Sequence, residues 1–293
     1  MSLWEAIGAD LAEVTGVQGA ARPLGEVGGG CINRAMRISH GGQTYFVKLN
    51  DAAHADMFAA EARGLRELRD SRSLRVPEPL CHGTEAQSAW LVLEDLALGG
   101  NGSPTSLGLG LAAMHRVTQN HFGWVQDNTI GSTPQINTPE PDWLVFWREH
   151  RLRFQLDLAA RHGHGARLRE RGERLLGEFP HLFADYRPAA SLLHGDLWSG
   201  NYAYSREGEP VIFDPAVYNG DREADLAMTE LFGGFGREFY DAYREAWPLD
   251  EGYTVRKTLY NLYHVLNHFN LFGGGYFSQA QGMIDQLLSE LGQ

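Results

Sequence analysis

The stretch Leu192-Leu193-His194-Gly195-Asp196-Leu197-Trp198-Ser199-Gly200-Asn201 (LLHGDLWSGN) decides how the rest of the chain is read. An apolar pair runs straight into a polar segment. Asp196 and Asn201 stand five positions apart, and Asp214 follows eighteen residues after Asp196, closing the apolar run Val211-Ile212-Phe213. Taken alone, Asp and Asn in such a segment read as turn residues, because their side chains bond nearby backbone. The strand ending in Asp214 reverses that reading. Phosphoryl transfer needs one carboxylate to position a hydroxyl and accept its proton. It also needs an amide oxygen and a second carboxylate, hard ligands that hold Mg²⁺ on nucleotide phosphates.

Working upstream, Lys48 lies inside the run Tyr45-Phe46-Val47-Lys48-Leu49, where strand alternation turns it away from the face that carries Val47. A lone Lys in a strand usually snorkels at an edge. Glu61, thirteen residues later on an expected helix over 51–70, offers a partner that would aim the ammonium at phosphates. Before Lys48 come Gly28, Gly29 and Gly30, then Cys31 and Asn33. Three glycines allow backbone amides to approach phosphate, although the pattern is neither GxGxxG nor a P-loop and a flexible turn explains it as well. The order Gly-rich loop, Lys strand, Glu helix, H-x-D-x₄-N and a strand ending in Asp is the order of parts in protein-kinase-like enzymes.

The bulk properties agree with an enzyme of this size. The chain has 293 residues, 43% hydrophobic and 21% charged, with 25 Lys and Arg against 37 Asp and Glu for a net charge of −12. That balance is globular and disfavours general nucleic-acid binding, which needs a basic surface. Two cysteines, Cys31 and Cys81, make neither a disulfide framework nor a zinc site. No signal peptide and no membrane span are expected, so the default compartment is the cytoplasm. Hydrophobic spacing predicts an α+β chain: a helix over 2–15, a hairpin from 31–38 and 43–49, and a strand near 89–96. After the Gly-rich stretch 99–110, helices follow over 106–117, 140–160, 165–178, 222–246, 254–272 and 276–291, with one embedded hairpin from 201–205 and 210–214. The expected division is a small β-rich N-lobe, 1–97, and a larger mainly helical C-lobe, 98–293.

The segments GGGCIN, FVKLN, HGDLWSGN, FDPAVYNGDREADLAMTELFGGF and LYNLYHVLNHFNLFGGGY together resemble the fructosamine kinase, or ketosamine kinase, family over nearly the whole chain. FGWVQDNTIGSTPQIN and DWLVFWREHRL resemble its middle section. The resemblance implies a two-lobed, protein-kinase-like fold similar to that of aminoglycoside and choline kinases. It implies ATP- and Mg²⁺-dependent phosphorylation of a ketoamine sugar, typically at the 3-hydroxyl of a fructosamine, small or protein-bound. The phosphate ester then decomposes and frees the amine. It further implies Asp196 as catalytic base, Asn201 and Asp214 as metal ligands, and Lys48 as the phosphate lysine with Glu61 its helix partner. Glu94 to Leu96 would be the hinge whose backbone meets adenine. Asp214-Pro215-Ala216 stands where protein kinases have D-F-G, a departure that bears on regulation by a Phe flip and not on metal binding.

Several residues keep two readings. Trp198 stacks either on the substrate or against the helical lobe. Asp221 either opens the helix that follows it, where the dipole favours an acid, or meets a substrate amine. His268, in a polar-aromatic stripe with Tyr260, Tyr263 and His264, is either core or substrate-facing. Cys31 is a small turn residue or a redox-sensitive thiol able to form a mixed disulfide or a disulfide-linked dimer. His162 and His164 read as a polar loop. The rival activities are an aminoglycoside- or choline-type kinase on the same fold, and a non-catalytic nucleotide-binding protein. The presence of Lys48, Asp196, Asn201 and Asp214 together argues against the latter.

Overall fold

The computed structural model describes residues 1–28, 32–161 and 166–292, with the side chains of 166 and 167 left aside. Gly29, Gly30, Cys31, His162 and His164 therefore lie outside the described residues, and with them the phosphate-loop and redox readings attached to the first three. The chain opens with α1 (Leu3–Thr15), started by a reciprocal capping box between Ser2 and Glu5. Strands β1 (Arg22–Val27), β2 (Arg34–His40) and β3 (Gln43–Asp51) follow, then α2 (Ala55–Asp70), β4 (Pro79–Glu85) and β5 (Ser88–Glu94). The five strands form one antiparallel sheet in the order β1-β2-β3-β5-β4. Gly41 and Gly42 turn β2 into β3 with φ of 58° and 81°, as a two-residue hairpin loop with both central residues left-handed requires. One sheet face packs on α1 through Ile7, Leu11, Ile38, Val47, Trp90 and Val92. β3 is thus a central strand and not an edge.

The second half of the chain begins with α3 (Pro104–His115) and the short strands β6 (Thr118–Gln119), β7 (Asn128–Ile130) and β8 (Thr133–Gln135). The helix expected over 140–160 is three pieces: α4 (Trp143–Phe146), a π-helical stretch over Trp147–Arg153, and α5 (Phe154–Arg161). After α6 (Ala166–Glu178) come β9 (Ala190–Leu193), the hairpin β10 (Tyr202–Tyr204) and β11 (Pro210–Ile212), and β12 (Tyr218–Gly220). Next is α7 (Arg222–Leu231), then α8 (Arg237–Ala246), α9 (Tyr253–Phe272) and α10 (Tyr276–Glu290). The single helix expected over 222–246 is broken because Gly233, Gly234 and Gly236 take φ of 101°, 76° and 87°. β9 sits between β12 and β6, which sets Tyr218 opposite Leu193 and Gly220 opposite Ser191.

Two compact units result, residues 1–103 with 202–215, and residues 104–201 with 216–293. This division differs from the expected boundary at 97/98 by placing the β10–β11 hairpin with the sheet unit. The reason is backbone bonding: Ile212 N donates to Arg75 O at 3.0 Å, Arg206 N to Ala97 O at 2.9 Å, and Gly99 N to Tyr204 O at 3.0 Å. The hairpin carries Asp214 into the same unit as Lys48 and Glu61.

Candidate active site

In the sheet unit, Lys48 projects from the face of β3 opposite Val47 and is buried. Its Nζ lies 2.5 Å from Glu61 Oε1 on α2 and 2.6 Å from Asp214 Oδ1. Burial by itself would pull the ammonium down, but the charges of Asp214 and Glu61 outweigh it and hold Lys48 above its ordinary pKa. The three side chains grade from closed to open: Lys48 and Glu61 are 7% and 10% exposed, Asp214 46%. Asp214 is also one of three non-glycine residues with positive φ, 57°, among the described residues. A carboxylate on a left-handed residue at a strand end is a local cost retained where the fold needs that side chain aimed. An ammonium fixed between two carboxylates leaves a net negative centre whose solvent-open carboxylate, Asp214, can take a cation.

Around this centre, Gly28 is exposed at the end of β1. Asn33 is pinned to the end of β3, its Oδ1 accepting from Asn50 Nδ2 at 2.7 Å. Glu94 closes β5. Its side chain is ion-paired with Arg75 and accepts from Glu78 N, and its own N–H donates to Glu78 O at 2.9 Å. Leu96 O accepts from Leu98 N at 2.9 Å. Cys81 is a free thiol that burial pushes up to about 12, which makes it inert.

In the helical unit, Leu192, Leu193 and Leu197 are buried and anchor the polar segment at its start and middle. His194 is fully buried, and its Nδ1 accepts from Asp196 N at 3.3 Å. Gly195, at φ 82°, lies so close to Ala216 that an added Cβ would stand 2.0 Å from its carbonyl oxygen. The half-buried Asp196 is joined to Asn201, whose Nδ2 donates to Asp196 O at 2.8 Å and to Oδ2 at 3.3 Å. Trp198 is 38% exposed, its ring edge-on to Phe232 with centroids 6.3 Å apart. His268, half-buried on α9, stands 5.1 Å from Phe232, and burial lowers its pKa.

Asp221 is the candidate that the structure removes. It is fully buried as the N-cap of α7. Its Oδ1 accepts from Tyr186 OH at 2.9 Å and Glu223 N at 3.0 Å, and its Oδ2 from Tyr260 OH at 2.5 Å. A carboxylate saturated in this way organises the helix start and does not face a substrate amine.

Two residues that the sequence reading passed over hold the loop of Asp196. Asp225, 1% exposed on α7, accepts at Oδ2 from His194 N at 2.7 Å and at Oδ1 from Gly195 N at 2.8 Å. His115, at the end of α3, bridges Asp225 Oδ2 at 3.1 Å and Tyr243 OH at 2.8 Å. Burial alone would raise the Asp225 carboxyl, but the bonds from His115 and the loop amides hold it below its ordinary pKa. In sequence Asp225 is one of four charges opening a helix and His115 a polar end to another. A second brace runs through the middle segment. Asn128 Nδ2 donates to Val217 O at 2.8 Å and Gln135 Nε2 to Ala216 O at 3.0 Å, which ties down the residues directly after Asp214-Pro215. The fully buried Arg151, presented by the π-helical stretch, anchors that segment through Asn137 Oδ1 at 2.7 Å and stacks 4.2 Å from the Tyr218 ring.

The family model for fructosamine kinase matches residues 3–290. The chain belongs to the fructosamine kinase family. A Synechocystis protein bearing the name ketoamine kinase is 47% identical, with 97% of each chain covered. The chloroplastic protein-ribulosamine 3-kinase of Arabidopsis thaliana is 44% identical over 92% of this chain and 83% of its own. Among solved structures, a Haemophilus somnus protein named as a fructosamine-3-kinase superposes with a TM-score of 0.89 at 31% identity, covering 96% of both chains. An aminoglycoside phosphotransferase matches at a TM-score of 0.58 and 17% identity, over 97% of this chain and 98% of its own, which places the fold among protein-kinase-like phosphotransferases. The fold of the family member described here is thus α+β and protein-kinase-like, with a β-sheet N-terminal region and a helical C-terminal region. Among its described residues no helix is long and apolar enough to cross a membrane.

Proposed function

We propose that this chain is a ketoamine kinase that transfers the γ-phosphoryl group of ATP to a sugar hydroxyl, the 3-hydroxyl in particular, of a fructosamine or ribulosamine. The single observation that carries the reading is the buried Lys48 ammonium held between Glu61 and the open carboxylate of Asp214. Membership of a kinase family and relatives named for ketoamine and protein-ribulosamine phosphorylation support the substrate class.

The roles follow from the residues. Asp196 aligns the hydroxyl and accepts its proton as the sugar oxygen bonds to the γ-phosphorus and the bond to ADP breaks. Lys48 neutralises phosphate charge, and Glu61 keeps its ammonium aimed. Phosphate binding is assigned to Gly28, Gly29, Gly30, Cys31 and Asn33, and adenine binding to the backbone from Glu94 to Leu96. The donor set fits Mg²⁺. Asn201 turns its Nδ2 towards Asp196, which presents an amide oxygen at the other end, and Asp214 supplies a carboxylate. Among the described residues no cluster of three His, Cys, Asp or Glu side chains makes an all-protein cage, in keeping with an ion that takes one or two protein oxygens and substrate phosphates. Bound Mg²⁺ would supply charge neutralisation on the phosphates. Trp198 and His268 contact the substrate. The 3-phosphate ester then breaks down and releases the amine. A chain with only two cysteines suits a reducing compartment such as the cytoplasm.

The test is ATP turnover with fructosyl-lysine, ribulosyl-lysine, choline and kanamycin, with the phosphorylated position fixed by NMR. Turnover confined to the two ketoamines is expected, and none with either would overturn the reading. Asp196→Asn should abolish turnover while ATP still raises the melting temperature. Retained turnover would place the base elsewhere.

A further inference from the structure

The segments FGWVQDNTIGSTPQIN (122–137) and DWLVFWREHRL (142–152) carry none of the phosphoryl-transfer residues, yet the helical unit joins them through one buried cation. Arg151 is fully buried in the π-helical stretch Trp147–Arg153, a geometry that is rare and gathers at functional sites. It donates to Ile136 O at 2.6 Å, Asn137 Oδ1 at 2.7 Å and His150 O at 3.1 Å. These oxygens are neutral, and a buried cation held by neutral groups costs stability. From it a chain of amides leads to the backbone that follows Asp214. Asn137 Nδ2 donates to Asn128 Oδ1 at 2.8 Å, and Asn128 Nδ2 to Val217 O at 2.8 Å. Gln135 joins from the side, its Nε2 donating to Asn128 Oδ1 at 2.9 Å and to Ala216 O at 3.0 Å. Each link has a direction. A guanidinium only donates, so Asn137 turns its oxygen to Arg151 and its NH₂ group onward. Asn128 then accepts at Oδ1, and its NH₂ group is left for the Val217 carbonyl, which only accepts. With a cation at one end and carbonyls at the other, one orientation of each amide satisfies the whole chain.

We propose that Arg151 is a positioning residue for the turn that carries Asp214: it sets the direction of the Asn137–Asn128 relay that holds Ala216 and Val217, and so fixes where the Asp214 carboxylate stands. This rests on the reading of Asp214 as a Mg²⁺ ligand. Pro215 alone separates Asp214 from Ala216, and its ring fixes its own φ, so little slack lies between them. Ala216 N also donates to His194 O at 2.8 Å, which ties the same residue to the loop of Asp196. A neutral side chain at 151 frees the Asn137 amide to rotate. Asn128 can then turn its oxygen onto Val217 O, where two acceptors repel and the turn loosens.

The experiment measures Mn²⁺ binding to the ADP complex by electron paramagnetic resonance, and amide hydrogen exchange over residues 216–219, in wild type, Arg151→Met and Arg151→Lys. Arg151→Met should weaken Mn²⁺ binding about 3–10-fold, the effect of about one lost hydrogen bond, and speed exchange over 216–219 by a similar factor. Exchange in α10 should stay as in wild type. Arg151→Lys keeps a cation that only donates and should hold both readouts within about 2-fold of wild type. Should Arg151→Met fail to fold, Asn128→Ala cuts the relay at its half-buried last link and should produce the same two changes. Unchanged Mn²⁺ affinity in the variant that folds, equal losses in Arg151→Lys and Arg151→Met, or faster exchange that spreads through α10 would each overturn the proposal and leave the kinase reading intact. No Mn²⁺ bound by the wild-type ADP complex would overturn the reading of Asp214, and the proposal with it.

Discussion

Replacing Asp225 by Asn deletes one charge from a residue that touches no candidate substrate, and its effect can be worked out from three bonds. The carboxylate is 1% exposed and accepts from His194 N at 2.7 Å, Gly195 N at 2.8 Å and His115 Nε2 at 3.1 Å. An amide keeps one oxygen. Its NH₂ end then faces either the Gly195 N–H, or the His194 N–H together with the His115 ring, so at least one buried donor meets a donor. A hydrogen bond to a charged group is worth about 1.5–3 kcal/mol, and an unsatisfied buried donor costs about 1–3 kcal/mol. The variant should lose about 3–5 kcal/mol, the range for removing one partner of a buried pair. That is a large share of the ~5–15 kcal/mol of a typical domain, so the protein stays folded at 25 °C with little margin. The sign with pH is set by the lowered pKa of Asp225. Its stabilisation is complete above the unfolded value near 4 and is lost as pH falls through the folded value. Urea unfolding should therefore show the full difference from wild type at pH 7 and a shrinking one below about pH 4. Turnover should fall about 10²-fold, because the loop that aims Asp196 is no longer held and small misplacements are costly. A stability loss under about 1 kcal/mol at pH 7, or a difference that grows on acidification, would refute the anchoring argument.

Lys48→Met should lower kcat/KM by about 10²–10³-fold and stability by about 3–5 kcal/mol, since it strands Glu61 without its cation. Adding Glu61→Gln should return most of the stability by thermal denaturation and none of the turnover. His264, with a pKa lowered to about 3 by burial and then by neighbouring His268, stays neutral while the unfolded chain protonates near 6.5. Wild type should then lose about 2 kcal/mol between pH 7 and pH 5 through this residue, and His264→Gln should lack that loss in urea titrations. Gly195→Ala forces a left-handed backbone on a residue with a side chain, costing at least about 1–2 kcal/mol, and drives a Cβ into Ala216 O. Its melting temperature and its turnover should fall together, and a neutral variant would show that the loop has room to move.

The local parts were legible because they are written in neighbouring residues. Hydrophobic spacing marks α1, two short strands mark the β2–β3 hairpin, and an apolar strand delivers Asp214. The order of the glycines, Lys48, Glu61, Asp196, Asn201 and Asp214 is what the phosphoryl-transfer proposal rests on. Spacing alone did not show where charges end up. Asp221 and Asp225 sit four residues apart in one acidic run, and in sequence they are alike. Tertiary packing buries both but gives them different partners: two tyrosines close Asp221 away, while Asp225 receives the backbone N–H groups of His194 and Gly195. Glu61 reads as one of several solvated helix charges until β3 and the β10–β11 hairpin bring Lys48 and Asp214 together in one unit. The hairpin itself was expected among the helices, because its bonds to Arg75 and Ala97 cross more than a hundred residues. Local pattern determines which segments become strands, helices and turns, since those bonds are short-range. Which carboxylate is saturated and which is left open depends on partners distant in sequence, and only the folded chain brings those together.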